Sequence, residues 1–320
     1  MEPELALMVP SAQTVAVSAY IDFLPDIQYS KPIGTSRFLK AVKCLDKNGA
    51  AIVKLLIKPT VEIQLDTYLN QMEKTRRILM DLPNALPYHT ILDSQRACYF
   101  IRPYLRYNLY DRLSIRPFLE DVEKKWITYQ LLTALSQFHS RGVTHGDLKT
   151  ENILLTSWNW CMITDFATIK PTYLPDRNPL QFSFYFDTAQ RHSCCLAPER
   201  FVSLSDEETS QLNASKRVTN SMDIFALGCI IAEIYTEGLP IFTLSQMFKY
   251  KKNEYTPNLD SIKDSNIRTM IKSMISLNPD ERVSANEYLL KFRKLVFPDY
   301  FYTFLYSYVK DLSTDINSKP

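Results

Sequence analysis

Glycine is scarce in this sequence, with six residues in 320, where average usage is about 7%. Each one is therefore a candidate for a position whose backbone demands it: Gly34 and Gly49 early, Gly142 and Gly146 near the middle, Gly228 and Gly238 later. The cysteines, at 44, 98, 161, 194, 195 and 229, show no C-x-x-C pair and no metal-ligand spacing. They read as separate thiols, the vicinal Cys194 and Cys195 included, and fit a reducing, intracellular compartment. Charge of one sign is missing too: 37 basic against 35 acidic side chains leave +2, so no global basic field points to nucleic acid or a membrane surface. The longest apolar run, Ile224 to Tyr235, contains Glu233 and is far short of the ~20 residues a bilayer crossing needs. It reads as a buried helix. No basic stretch followed by an apolar one marks a signal peptide, and there is no internal repeat or low-complexity tract.

What remains is 46% apolar and 22% charged, enough for one large domain or two small ones. From Gln28 to Arg102 the pattern is mostly strands. Phe38 to Cys44 and Ala51 to Ile57 are β-like runs joined by Asp46-Lys47-Asn48-Gly49, whose Asn-Gly pair is a strong hairpin signal. Thr60 to Met80 turns helical and is closed off by Pro83 and Pro87, and short strands follow near Thr90 and at Ala97 to Arg102. Val122 to Ser140 carries apolar residues at 122, 126, 127, 131, 135 and 138, the period of an amphipathic helix. Lys170 to Ser193 reads as a long ordered loop, which in a compact domain is usually functional. Ser203 to Asn220 is polar and serine-rich and reads as a disordered insertion. The expected architecture is α+β and bilobal. An N-terminal extension (1–26) precedes a small β-rich lobe with one helix (27–103), then a larger, mainly helical lobe (104–297) and a C-terminal segment (298–320).

The chemistry concentrates in His145-Gly146-Asp147-Leu148-Lys149-Thr150-Glu151-Asn152, followed by Asp165-Phe166-Ala167. Phosphoryl transfer needs cations to neutralise phosphate charge and a carboxylate to orient the attacking hydroxyl. Asp147 can supply the carboxylate, and Lys149 lies within reach of a transferred phosphate. Asn152 and Asp165 offer hard oxygen ligands, which suit Mg²⁺. Taken singly, each is more often a turn or cap residue. In this order, with Ile52-Val53-Lys54 on an upstream strand and Ala197-Pro198-Glu199 downstream, they resemble the H-x-D-x-x-x-x-N, D-F-x and A-P-E series of protein kinases.

That resemblance implies a bilobal protein-kinase fold and further roles. Lys54 would contact the non-transferred phosphates, held by a carboxylate of the following helix. Glu73, inside that helical stretch, is the candidate, with a solvated helix charge as the alternative. Glu62 is closer to the helix start, where the macrodipole favours acids anyway. Glu199 and Arg282 resemble the ion pair that pins the activation segment. Asp223 resembles the brace of the catalytic loop, with an N-cap role for Ser221 or Asp223 as the alternative.

Four departures concern how a nucleotide is held. The glycine-rich loop should read G-x-G-x-x-G, but in Ile33-Gly34-Thr35-Ser36-Arg37-Phe38-Leu39-Lys40-Ala41 only the first glycine survives. Ile33, Gly34 and Ala41 are its candidate nucleotide contacts. Gly146 stands where many kinases have an Arg that pairs with a phosphorylated activation loop, and Ala167 replaces a glycine. Arg102 falls at the rear of the base pocket, with Pro103 to Leu105 as hinge; the hinge amide would come from Leu105, since Pro103 has no N–H. A pure donor at that position favours a purine carbonyl, hence GTP over ATP. The alternative is an Arg turned outward or paired with an acid.

The likeness narrows further. Leu109-Tyr110-Asp111-Arg112-Leu113-Ser114, Trp158-Asn159-Trp160-Cys161 and Phe184-Tyr185-Phe186-Asp187-Thr188 are similar to the protein-kinase subunit that regulates class III phosphatidylinositol 3-kinase in vacuolar sorting and autophagy. That family is large and scaffolding, continuing into helical repeats and a β-propeller. It implies as partners the lipid-kinase catalytic subunit and its autophagy and sorting subunits, and as locale the endosome, vacuole or autophagic membrane. Lys149 two residues after Asp147 resembles the serine/threonine class. The chain resembles an excised kinase domain, and Glu2 in place of the family's Gly sets N-myristoylation aside for this sequence. Two functions fit: an active serine/threonine kinase of low or narrowly directed activity, and a pseudokinase module that binds nucleotide for structure.

Overall fold

The computed structural model describes residues 17–35, 38–58, 65–167, 169–187 and 191–317. Its first sheet is antiparallel and ordered β1-β2-β3-β6-β5, from β1 (Gln28–Thr35), β2 (Lys40–Asp46), β3 (Gly49–Ile57), β5 (Thr90–Asp93) and β6 (Ala97–Pro103); β4 (Ala85–Leu86) pairs elsewhere. Side chains alternate across a strand, and that alternation builds the lobe. Ala51, Val53 and Leu55 of β3 and Ala97, Tyr99 and Ile101 of β6 form one buried face, covered by Ile21 and Leu24 of the segment that begins with α1 (Ser18–Ile21). Lys54 and Arg102 have the opposite parity and emerge on the inner face.

The β2–β3 hairpin is tighter than expected. Asp46 pairs with Gly49, so the loop is Lys47-Asn48, and Gly49 opens β3 at φ 122°. The helix expected between 60 and 80 is α2 (Asp66–Leu79), which buries Met72, Thr75 and Leu79. Residues 59–64, Glu62 among them, lie outside the described residues.

The second lobe packs around α4 (Asp121–Ser140), introduced by α3 (Leu109–Ser114). Trp126, Ile127, Leu131, Leu135 and Phe138 of α4 are buried; Val122, expected on the same stripe, is exposed in the first turn. A small sheet of β7 (Tyr107–Asn108), β8 (Ile153–Leu155) and β9 (Cys161–Thr164), with β4 beside β9, carries the catalytic loop on its edge. Within the expected long loop the chain forms β10 (Leu174–Pro175) and α5 (Pro179–Tyr185).

One expectation is overturned. The polar stretch 203–220 is ordered: α6 (Asp206–Ser215) starts from a reciprocal capping box between Ser205 and Glu208. The buried Asn213 exchanges hydrogen bonds with the N–H and carbonyl of Tyr173, at 2.7 and 3.0 Å. A cap and one buried amide thus hold a helix that hydrophobicity does not advertise. The apolar run is α7 (Asn220–Tyr235), buried from Met222 to Ile234. Among the described residues no single helix is long and apolar enough to cross a membrane.

Candidate functional site

Register places the upper wall. Gly34 pairs with Ala41, Ala41 with Lys54, and Lys54 with Phe100. Directly opposed residues point to one face, so Ala41 and Lys54 share the inner face with Arg102. Ile33, beside Gly34, is exposed. Of the eroded loop, Ser36 and Arg37 lie outside the described residues, while Phe38 is buried.

Below this wall sits Asp165, just past β9, in the left-handed region at φ 66°, a conformation non-glycine residues adopt at a cost and mostly at functional sites. Its carboxylate accepts from Lys54 Nζ at 2.8 Å and from the Tyr88 hydroxyl at 2.8 Å, with Arg102 Nε 3.6 Å away. Burial works to raise the Asp165 pKa, but the charges of Lys54 and Arg102 outweigh it and hold the carboxyl well below the usual range. Burial likewise pulls Lys54 below an ordinary lysine, against the attraction of Asp165. Phe166 packs inward against Phe138 and His145, with ring centroids 5.3 and 4.5 Å away.

Asp147 forms the floor. Its Oδ2 accepts from Lys170 Nζ at 2.7 Å and from Asn152 Nδ2 at 3.2 Å, with Lys149 Nζ at 3.5 Å. Again burial pushes the pKa up, and the charges of Lys149 and Lys170 overcome it, leaving the carboxyl ionised below its ordinary value. Asn152 also donates Nδ2 to the Asp147 carbonyl at 2.8 Å, which directs its amide oxygen away from Asp147. That oxygen and the ionised Asp165 are the hard donors a Mg²⁺ ion accepts alongside water and phosphate, so the residues fit the metal.

Glu73 is not brought to Lys54. Met72 and Thr75 take the buried face of α2, and Glu73, a step around the helix, pairs with Arg76 and Arg77 at 2.7 and 3.0 Å. Those bonds, the Arg76 one first, lower its pKa to about 2. The carboxylate on Lys54 is Asp165. Arg102 follows the second reading of its position, the Arg paired with an acid. It is buried, and its Nε lies 3.6 Å from Asp165 Oδ1, without a hydrogen bond among the described residues. Leu105 sits half-buried in the strand-to-helix linker, next to Tyr104, whose amide donates to the Ala50 carbonyl at 3.0 Å.

The braces are where the resemblance placed them. The Asp223 carboxylate accepts from the amides of His145 and Gly146, at 2.7 and 2.9 Å; the cap of α7 is Thr219, so neither Ser221 nor Asp223 performs it. Glu199 binds Arg282 through two bonds of 2.7 and 3.1 Å. Gly146 has φ 76°, and an added Cβ would meet Val218 at 3.0 Å, so backbone shape and space both favour glycine there. One tie between catalytic loop and activation segment comes instead from Arg200, which sequence reasoning missed. Its guanidinium donates to the carbonyls of Gly146, Pro171 and Thr172 at 2.6, 3.1 and 2.7 Å. Tyr88, Lys170 and Arg191 were missed as well. Their partners lie 77, 23 and 42 residues away along the chain, and no local pattern signals such contacts.

Comparison with known proteins agrees with this geometry. The protein kinase domain family matches residues 27–291. A VPS15 relative from Komagataella pastoris is 52% identical over 314 residues, covering 98% of this chain and 23% of that protein. The serine/threonine-protein kinase VPS15 of Saccharomyces cerevisiae is 47% identical, covering 100% of this chain and 22% of its own length. That of Arabidopsis thaliana is 42% identical, covering 92% and 20%. The chain thus spans about a fifth of the length of these curated relatives.

Proposed function

The chain belongs to the protein-kinase family, and from that premise we propose that its cleft binds a magnesium–nucleoside triphosphate and transfers the terminal phosphoryl group to a serine or threonine hydroxyl. The observation that carries this reading is the charge around the cleft carboxylates: Lys54 and Arg102 lie on Asp165, and Lys149 and Lys170 on Asp147. Such a cation excess suits a polyphosphate. In this reading Lys54 binds the non-transferred phosphates, Asp147 orients the acceptor hydroxyl and receives its proton, and Lys149 stabilises charge on the transferred group. Asn152 and Asp165 would hold Mg²⁺, which when bound neutralises phosphate charge. Gly34, Ile33, Ala41 and Leu105 frame the nucleotide.

Arg102 Nε, at the rear of the cleft, lies 3.6 Å from Asp165 Oδ1 and makes no hydrogen bond among the described residues; a purine carbonyl would complete it, so guanine is the preferred base. By resemblance, the whole protein regulates and scaffolds a class III phosphatidylinositol 3-kinase on endosomal, vacuolar or autophagic membranes. A second reading, a regulatory module that binds nucleotide without fast turnover, is favoured by one contact: Lys170 already occupies the Asp147 oxygen. Single-turnover transfer of labelled γ-phosphate separates the two. Asp147→Asn should lower transfer by about 10²–10⁴-fold while nucleotide still binds. Transfer undiminished in Asp147→Asn overturns the catalytic assignment, and binding without transfer by the unaltered protein selects the second reading.

A further inference from the structure

Both oxygens of the Asp165 carboxylate are engaged, and one of the donors carries no charge. Oδ2 accepts from Lys54 Nζ at 2.8 Å, while Oδ1 accepts from the Tyr88 hydroxyl at 2.8 Å and faces Arg102 Nε at 3.6 Å. Lys54 and Arg102 each do two things, since a cation at Asp165 also attracts a polyphosphate. Tyr88 does one. A neutral hydroxyl adds nothing to the long-range attraction for phosphate, so its influence on the site runs through Asp165.

The fold brings this hydroxyl to the carboxylate in two short steps. β4 runs parallel to β9 with Leu86 paired to Thr164, and the Thr164 hydroxyl donates to the Leu86 carbonyl at 2.9 Å. Two residues past Leu86 the chain reaches Tyr88; one residue past Thr164 it reaches Asp165. The Tyr88 ring is buried against Phe100, with centroids 5.5 Å apart, and Phe100 of β6 is the cross-strand partner of Lys54. The following amide, that of His89, donates to the Ile101 carbonyl at 2.9 Å. Ring and backbone are thus held by the sheet that carries Lys54 and Arg102, whereas Asp165 follows a strand of the other sheet. Asp165 sits at φ 66°, a backbone state that persists only where the surroundings over-determine it. Tyr88 supplies one of those restraints.

We infer that Tyr88 is a positioning residue for the metal ligand: its hydroxyl fixes the plane of the Asp165 carboxylate so that a divalent cation meets it in one orientation. A carboxylate oxygen accepts more than one bond, so the hydrogen bond leaves a lone pair of Oδ1 for the cation. Partners that orient a ligating carboxylate are typically worth about 10–100-fold in metal affinity. The inference rests on the magnesium–nucleotide reading of the cleft and adds to it a residue that acts through Asp165.

Tyr88→Phe keeps the ring and removes the hydroxyl. The probe is a fluorescent, non-hydrolysable GTP analogue, bound to the chain in EDTA and across a Mg²⁺ titration and followed by anisotropy. In Tyr88→Phe the Mg²⁺ concentration at the titration midpoint should rise about tenfold, ~1.4 kcal/mol, with the affinity in EDTA unchanged. Lys54→Met should instead weaken binding in both conditions, because it removes a charge. Thr164→Val, which deletes the neighbouring hydrogen bond and leaves Tyr88 in place, should lower the denaturant midpoint without moving the Mg²⁺ midpoint. A Mg²⁺ midpoint in Tyr88→Phe that is unmoved or lower, or an equal loss of affinity in EDTA and in Mg²⁺, overturns the positioning role while the nucleotide reading stands. Absence of nucleotide binding by the unaltered chain overturns both.

Discussion

At Glu199 one carboxylate meets one guanidinium, through two bonds of 2.7 and 3.1 Å from a fully buried Arg282. At Asp165 and Asp147 each carboxylate meets two cations. The first arrangement is neutral and geometrically matched, as an ion pair that fastens two segments should be. The second leaves positive charge over, at a cost to the folded chain, because Lys54 and Lys170 are both pulled below their ordinary pKa by burial. Surplus buried charge of one sign is not a stabilising feature; it marks where a ligand of the opposite sign is expected. Proportion of charge, rather than the presence of ion pairs, therefore separates fastener from site in this molecule.

Substitutions that delete one cation from each region break the comparison most strongly. Arg282→Ala leaves Glu199 without its partner and should lower stability by about 3–5 kcal/mol, seen as a fall in the denaturant midpoint. Lys54→Met removes a cation from a surplus, so its midpoint should stay level or rise, while magnesium–nucleotide affinity falls at least about tenfold. If both variants lose stability alike, the distinction between the two regions is wrong.

A subtler test concerns Arg102, whose charge contributes to the surplus and whose Nε carries no hydrogen bond among the described residues. Arg102→Met keeps the bulk and removes the donor. If that donor reads the base, the ratio of GTP to ATP affinity should fall about tenfold, the worth of a hydrogen bond from a charged group, as measured by competition against a fluorescent nucleotide. An unchanged ratio, with both affinities reduced together, would leave Arg102 as a general phosphate-attracting charge.

These contrasts were unevenly visible in the sequence. The catalytic loop and Asp165 could be read because their residues are contiguous or nearly so, and function fixes their order. Lys54 and Arg102 were placed by the kinase resemblance, and strand register then puts both on the inner face of the sheet. The helix Asp206–Ser215 was missed despite the signal of Ser205 three residues before Glu208, because its buried contacts are one Thr and one Asn rather than an apolar stripe. Lys170, Arg191 and Arg200 act across long separations in a segment with little regular structure, where neither period nor motif tells which way a side chain turns.

Glu73 is the instructive failure, and it gives the smallest predicted effect. Position along α2 suggested it for Lys54, but helix phase decides the matter. Met72, Thr75 and Leu79 claim the buried face, which turns Glu73 toward Arg76 and Arg77 on its own helix. Glu73→Gln should therefore change stability by less than about 0.5 kcal/mol and leave nucleotide affinity alone. A linkage effect follows from its pKa. With the carboxyl at about 2 in the folded chain and about 4.3 unfolded, its small contribution is present above pH ~4.3 and fades as pH falls toward 2. Carboxyl-detected NMR should find Glu73 titrating below an ordinary glutamate, the direction its Arg76 and Arg77 bonds impose. A tenfold loss of nucleotide affinity in Glu73→Gln would instead mean that α2 rotates to bring Glu73 onto Lys54 when nucleotide binds, freeing Asp165 for the metal.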